Sequence, residues 1–290
     1  MSGIDAAEAF TLLADETRVR IVHELGRARG TGTSDGRSYA ELMDAVGAVD
    51  SGRFNYHLQQ LVDHFVHREG DDYTLAYEGV LIYRSIVAGT FSEAVADRTF
   101  ETTTPCHQCS EALVARVEDH FVRIACPACM TTYLAGYLPP RGYANRSPEA
   151  ILSTLDLRVR AQMGLIGRGV CPWCYGRAAA ELVPDDDLPL RNRPVDVAVR
   201  HDCAECRAQG YTTVGQRVLD DPALIALHAD HGIRLTESPL WALEFAVTDR
   251  YTTIKQHDPL AVELAIPVGA DTYRATIDQD GSIDIDPGGS

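Results

Sequence analysis

All eight cysteines of the chain fall in four Cys-x-x-Cys pairs: Cys106 with Cys109, Cys126 with Cys129, Cys171 with Cys174, and Cys203 with Cys206. A pair at this spacing lets one tight turn aim two thiolates at one point, and two such turns complete a tetrahedral sulfur shell that suits zinc. Taken in chain order, the pairs enclose 16 residues in the first site and 28 in the second. The opening MSGIDAAEAF lacks the basic start and apolar stretch of a secretion signal, which favours metal over disulfides. Two zinc sites of four cysteines each are therefore expected. A closed four-thiolate shell has no open coordination position, so its expected role is to staple the fold. A redox pair would need one exposed thiol of low pKa near a helix start, which four pairs at these spacings fit poorly. His107, His120 and His201 lie close to the cysteines in sequence and are read as bystanders beside a full set of thiolates.

Within the first site, LVARV and FVRIA read as strands around a Glu-Asp-His turn. Within the second, AAAELV and VDVAV flank the longer PDDDLPLRNRP. Knuckle, strand, loop, strand, knuckle is an order that resembles a zinc ribbon. In the long loop Arg191 and Arg193 sit beside Asp185, Asp186 and Asp187, the mark of a solvated, charge-mixed segment. After each second knuckle a further strand is expected, in MTTYLAGYL and GYTTVGQRVL. A capped helix follows each, at Ser147-Pro148 in SPEAILSTLDLRVRAQM and at Asp221-Pro222 in DPALIALHADHG. The unit of ribbon plus helix is thus read as duplicated. In the last sixty residues PLWALEFAV, YTTIKQ, AVELAIPV and TYRATIDQDGSIDI are strand candidates, and Trp241 is read as core.

The first hundred residues hold no cysteine and have a different character. IDAAEAFTLLADETRVRIVHELG predicts two short helices separated near Asp15, with Ala6, Ala9, Phe10 and Leu13 on one stripe and Val19, Val22 and Leu25 on the next. SYAELMDAVG opens with Ser38 three residues before Glu41, the spacing of a capping box. SGRFNYHLQQLVDHF supplies a fourth helix, capped by Asp50 or Ser51, with Phe54, Leu58, Leu61 and Val62 as its buried stripe. FVHREGDDYTLAYEG predicts a hairpin around Gly-Asp-Asp, and GVLIYRSIVAGTFSEAVADR a fifth helix.

Two helices joined by a short turn and followed by a hairpin are the order of a winged helix-turn-helix, whose second helix lies in the DNA major groove. AFTLLADETRVRIVHELG and SGRFNYHLQQLVDHFVHREGDDYTLAYEG resemble the ArsR-type transcriptional regulators, with Asp15, Thr17 and Arg18 at the start of the second helix and His57-Leu58 inside the recognition helix. The resemblance covers about a third of the chain. It implies a homodimer pairing through the first and last helices of this segment and binding double-stranded DNA. Carried over by position, Ser51, Arg53, Asn55, Tyr56, His57 and Gln60 would face DNA, and Arg68 and Tyr73 would belong to the wing. The chemistry agrees, since arginine can grip guanine and asparagine or glutamine adenine through paired hydrogen bonds. Metal-sensing relatives use cysteines in this region, so metal sensing in that manner is not expected.

Charge argues the other way at first sight. The formal net charge is −16, and residues 1–100 carry 16 acidic against 9 basic side chains. Yet Lys255 is the only lysine, the acids form no long block, and Ser51 to Arg68 holds Arg53, Arg68, His57, His64 and His67 against Asp63 alone. An acidic, lysine-poor surface suits a cytoplasm of concentrated salt, the halophilic-archaeal character expected here. In such salt counterion release adds little, and a DNA reader relies on bases and shape. The lone lysine, in TTIKQHDP, also excludes a phosphate-binding GxxxxGK[ST] loop, and the chain has neither HExxH nor GxSxG.

The expected fold is α+β and multidomain: a winged helix-turn-helix over 1–100, a first ribbon over 101–145, a linking helix over 146–169, a second ribbon over 170–220, and a helix with β-strands over 221–290. The expected protein is a soluble cytoplasmic transcriptional regulator and not an enzyme, with zinc in a C-terminal region that senses an effector or contacts a protein. No run is apolar enough to span a membrane. A winged helix followed by a zinc ribbon also resembles the archaeal counterpart of general transcription factor E, an adaptor on the polymerase. A nucleic-acid-processing enzyme is the lesser alternative, since no acid, base or nucleophile motif is present.

Overall fold

The structure, a computed structural model, describes residues 4–29, 36–91, 93–184 and 195–286. Its fold is mixed α/β, and the chain divides into two compact units, Met1–Glu93 with Pro139–Arg141, and Ala94–Leu138 with Gly142–Ser290. The expected charge-mixed loop with Arg191 and Arg193 lies outside the described residues. Among the described residues no helix is long and apolar enough to cross a membrane.

In the first unit short polar side chains start each of the first four helices. Helix α1 (Ala6–Leu13) is capped by Asp5, and α2 (Glu16–Ala28) by Asp15, whose Oδ1 accepts from Thr17 N at 2.8 Å. At α3 (Tyr39–Val46) the Ser38–Glu41 capping box is complete, and Gly47 closes the helix at φ 71°. Asp50, and not Ser51, caps α4 (Ser51–Leu61), accepting from Arg53 N at 3.0 Å. Ile21, Val22 and Leu25 of α2, Leu42 and Val46 of α3, and Phe54, Leu58 and Leu61 of α4 meet in one core.

Strands β2 (Val66–Glu69) and β3 (Asp72–Leu75) form the expected hairpin, and β1 (Arg37–Ser38) adds a third strand on β3 that no sequence pattern announced. Two expectations here need correction. Phe10 is 72% exposed, because α1 turns Ala9, Leu12 and Leu13 to the core and Phe10 falls on the opposite side. The fifth helix does not run to Arg98: α5 covers Tyr77–Val87, and Gly89 at φ 74° ends the turn, a backbone state that glycine adopts at low cost.

In the second unit β4 (Arg98–Pro105), β5 (Ala112–Glu118), β6 (Phe121–Ala125) and β7 (Thr132–Tyr137) form an antiparallel sheet in chain order. Leu113, Ala115 and Val117 alternate inward on β5 and Val122 and Ile124 on β6, as a one-face core demands. Helix α6 (Pro148–Ile166) lies so close to β7 that a Cβ on Gly136 would come within 2.8 Å of Leu155, so glycine is what lets helix and strand touch.

A second sheet follows, β8 (Ala178–Pro184), β9 (Val197–Cys203) and β10 (Gln209–Thr213) in the order β10-β9-β8. The strand expected over GYTTVGQRVL stops at Thr213, where a second capping box, Thr213 with Gln216, starts the single-turn helix α7 (Val214–Arg217). Helix α8 (Pro222–Asp230) is capped by Asp221 as expected. PLWALEFAV is not a strand: Leu240–Ala242 form a 3-10 turn and Glu244–Val247 the short helix α9. Six of the nine residues of this run are buried, at even and odd positions alike, so it carries no clean alternation by which strand and helix could be told apart. Strands β11 (Thr252–His257), β12 (Leu260–Val268), β13 (Asp271–Ile277) and β14 (Ile283–Asp286) close the unit as a meander. One apolar core runs through all three sheets of the unit.

Candidate metal centres and the exposed face of the fourth helix

The four knuckles share one backbone design. In each, the first cysteine's N–H donates to the carbonyl five residues on, as Cys106 does to Glu111 at 2.7 Å and Cys171 to Gly176 at 2.9 Å. In each, the amide four residues on returns a bond to that cysteine's carbonyl, from Ser110, Met130, Tyr175 and Arg207. Those four residues all adopt left-handed φ, between 60° and 65°. The turn aims both sulfurs of a pair at one point, the first buried and the second exposed in every case.

The ligand atoms of Cys106, Cys109, Cys126 and Cys129 lie within 4.8 Å of one another, and so do those of Cys171, Cys174, Cys203 and Cys206. Two four-sulfur groups able to hold a metal result, paired as chain order predicts, and their strands make ribbon-like sheets. None of His107, His120 and His201 joins these clusters. His107 Nε2 meets the Trp241 carbonyl at 3.0 Å. His201 is buried against Thr212 Oγ1 at 2.9 Å, and burial together with the Arg217 charge pushes it down to about 4.

Around the first centre the structure adds polar groups that the sequence did not single out. The Tyr133 hydroxyl lies 3.1 Å from Cys106 Sγ and Thr131 Oγ1 lies 3.2 Å from Cys129 Sγ, while Thr131 donates to Gln108 Oε1 at 2.7 Å. Burial and the Cys106 sulfur push the Tyr133 hydroxyl upward, so it keeps its proton and can donate it to a thiolate. Burial opposes ionisation of Cys129, but the Thr131 side chain and amide and the adjacent thiols hold it at about 6. The Glu111 amide favours the Cys109 thiolate, yet the other three sulfurs push that thiol up to about 12. Four sulfurs this close cannot all be anionic unless a cation sits among them.

On α4 the expected DNA-facing residues separate into two groups. Ser51, Arg53, Asn55 and Tyr56 are exposed, and Gln60 is half-buried. His57 corrects the expectation: it is 6% exposed, with Nδ1 3.5 Å from Asp15 Oδ1. It faces α2 because it precedes Leu58 on the inward side of the helix. The Asp15-x-Thr17-Arg18 motif thereby gains a physical account, since Asp15 both caps α2 and lies against the buried His57 of α4. Tyr73 is likewise buried, at 3%, and not an exposed wing residue. Arg68 is exposed but folds back, donating to the Gly70 carbonyl at 3.1 Å and lying 5.7 Å from the Tyr73 ring centre. Tyr39 of α3 holds the start of α4 by donating to the Ser51 carbonyl at 2.9 Å.

Replacing Asp15 with alanine is expected to cost roughly 1–2 kcal/mol, the range for loss of a helix cap. Partial burial raises the Asp15 pKa, but the Thr17 hydrogen bonds and His57 outweigh it and hold the carboxyl below its ordinary value. Its stabilisation is therefore complete above about pH 4, the unfolded pKa, and fades as pH falls through the lower folded value. The stability gap between wild type and Asp15→Ala should shrink from pH 5 toward pH 3; a gap unchanged over that window refutes the assignment.

Fold and sites together define a two-unit protein whose second unit carries two four-cysteine groups placed to hold a metal. The chain belongs to the family described as Domain of unknown function (DUF7351), whose model matches residues 103–283 and so takes in both centres. A second model, Domain of unknown function (DUF7347), matches residues 6–86, the span from α1 to α5. No curated protein and no solved structure matches the chain.

Proposed function

We propose that this chain is a sequence-specific, homodimeric DNA-binding transcriptional regulator of the ArsR-type winged helix-turn-helix class, and not an enzyme. The observation that carries this reading is α4 itself. It presents Ser51, Arg53, Asn55 and Tyr56 to solvent while Phe54, Leu58 and Leu61 are buried beneath them. A capped helix precedes it and a hairpin follows, so the exposed row has the form of a recognition helix entering a major groove. Glu69 and Asp71 at the hairpin leave Arg68 little help from its neighbours, and base contacts by α4 carry the specificity. The two four-sulfur centres take zinc, whose tetrahedral preference and affinity for thiolates match the donor set. They hold the rigid C-terminal part, which meets an effector or protein in the cytoplasm.

Selection of bound sequences from a random duplex pool, read in molar potassium chloride, tests the proposal. A roughly palindromic consensus is expected, and metal analysis should find two zinc ions per chain, one for each cluster. Arg53→Ala and Asn55→Ala should each weaken consensus binding by roughly tenfold or more. His57→Ala should lower thermal stability and leave base preference unaltered. Recovery of no consensus, with copurification of RNA polymerase instead, would replace this reading with that of a basal adaptor.

A further inference from the structure

The second unit carries a groove of about 490 Å³ that the duplex-reading helix does not involve. Its walls come from β6 and β7 of the first ribbon, from α6, and from the knuckle and last strand of the second ribbon. Phe121, Tyr133, Trp173 and Tyr211 line it together with Gln162 and with Gln209, whose amide is held by Asp202 and the Tyr211 hydroxyl. Phe121 is 53% and Trp173 51% exposed, although both are large rings that a fold ordinarily covers. In a chain with 42 acidic residues, no carboxylate lines this groove among the described residues.

Beside the groove lie three arginines, on neighbouring strands and a helix, that form no ion pair among the described residues, a state they share with several other arginines of the unit. What distinguishes them is their place next to exposed rings. Arg160, Arg168, Arg200, Arg234, Arg250 and Arg274 all have carboxylates within 4.0 Å. Among the described residues, Arg116, Arg123 and Arg158 have none. Arg116 and Arg123 are cross-strand partners on the exposed face of β5 and β6, and Arg123 follows Phe121 by two positions on the same face. Arg158 lies 5.6 Å from the Tyr137 ring centre, and Tyr137 in turn meets Phe121 edge-on at 5.9 Å. Glu118 is the acid opposite Phe121, so this strip remains net positive.

We infer that this groove binds single-stranded nucleic acid. Bases stack on Phe121 and Trp173, the Gln162 amide meets base edges, and Arg116, Arg123 and Arg158 follow the backbone phosphates. Rings with free faces beside unpaired guanidiniums are the two elements such binding needs, and stacking tolerates any base because each has a π-face. Stacking also survives high salt better than phosphate contact does.

The chain offers a direct optical probe, because its only other tryptophan, Trp241, is buried at 5%. Titrating the metal-loaded full-length protein with a single deoxythymidine strand of about 12 nucleotides should quench Trp173 fluorescence, in low salt and in molar potassium chloride alike. By anisotropy of a labelled strand, Phe121→Ala and Trp173→Ala should each weaken binding about tenfold, and Arg123→Glu should weaken it most at low salt. Unchanged metal content in each variant guards against misfolding. Arg53→Ala and Asn55→Ala should leave single-strand binding intact, which separates this site from the duplex-reading helix. No quenching by the strand, wild-type affinity in both Phe121→Ala and Arg123→Glu, loss of binding in Asn55→Ala, or quenching by a proline-rich peptide alone would each overturn the inference.

Discussion

Stripping metal from the intact protein is expected to unfold its second unit. Cys106 and Cys126 are core residues of the large apolar cluster, and Cys171 and Cys203 anchor a smaller one, each at 4% exposure or less. Their knuckles set the ends of strands in both ribbons, so loss of each ion releases the geometry of its own sheet, and loss of both releases the two. A structural zinc contributes an apparent 10–16 kcal/mol at neutral pH in small zinc domains, about as much as a whole domain's usual net stability of 5–15 kcal/mol. A chelator should therefore abolish the far-ultraviolet signal of the ribbon strands in step with metal release. Cys126→Ser should be at least as damaging as Cys109→Ser, since the first sulfur is buried and the second exposed. A ribbon fold that persists after complete metal removal would show that the sulfur clusters are not its staples.

Asp156→Ala is expected to be the most damaging change away from the metals. This buried carboxylate on α6 accepts from Leu240 N at 2.7 Å through one oxygen and from Arg160 Nε at 2.7 Å through the other. Arg160 also donates to the Ser238 carbonyl at 2.7 Å, so the pair clamps the 3-10 turn carrying Trp241 onto the helix. Removing the acid leaves the Leu240 amide without a partner and a largely buried guanidinium that keeps only the Ser238 carbonyl and has no counter-charge, a loss of about 3–5 kcal/mol. For a unit of this size that lowers Tm by roughly 10 °C. Asp156→Asn keeps an acceptor for Leu240 and should lie between the two. An alanine variant that melts with wild type would show that the turn is held by packing alone.

Asp156 also shows where sequence reading ends. Four positions before Arg160 on a helix, it reads as an ordinary solvent-exposed ion pair, and its true partner is 84 residues further on. The cysteines were legible because metal ligation needs a fixed donor type at a fixed spacing, whatever the fold around it. The caps at Asp15, Ser38, Ser147 and Asp221 were legible for a similar reason, being local contacts over two or three residues. His57 was misread as outward because helical spacing gives a position on the wheel and not the depth of the neighbouring helix. Strand β4 was missed, since its run RTFETTTP carries one aromatic amid threonines and is half-exposed along its length. Tyr133 and Thr131 look like ordinary strand residues until the knuckles fold against them.

Those two hydroxyls make the centres unequal in time as well as in place. Both touch sulfurs of the first site, while among the described residues the second has backbone support alone, such as Gly176 N to Cys174 Sγ at 3.4 Å. Groups that hydrogen-bond a ligand commonly change metal retention by 10–100-fold. Chelation should thus proceed as two separate kinetic phases, with the ion of the second ribbon leaving first. Tyr133→Phe should bring the slow phase toward the fast one. A cell short of the metal would then hold this protein in a half-loaded form, with one ribbon intact and the other released.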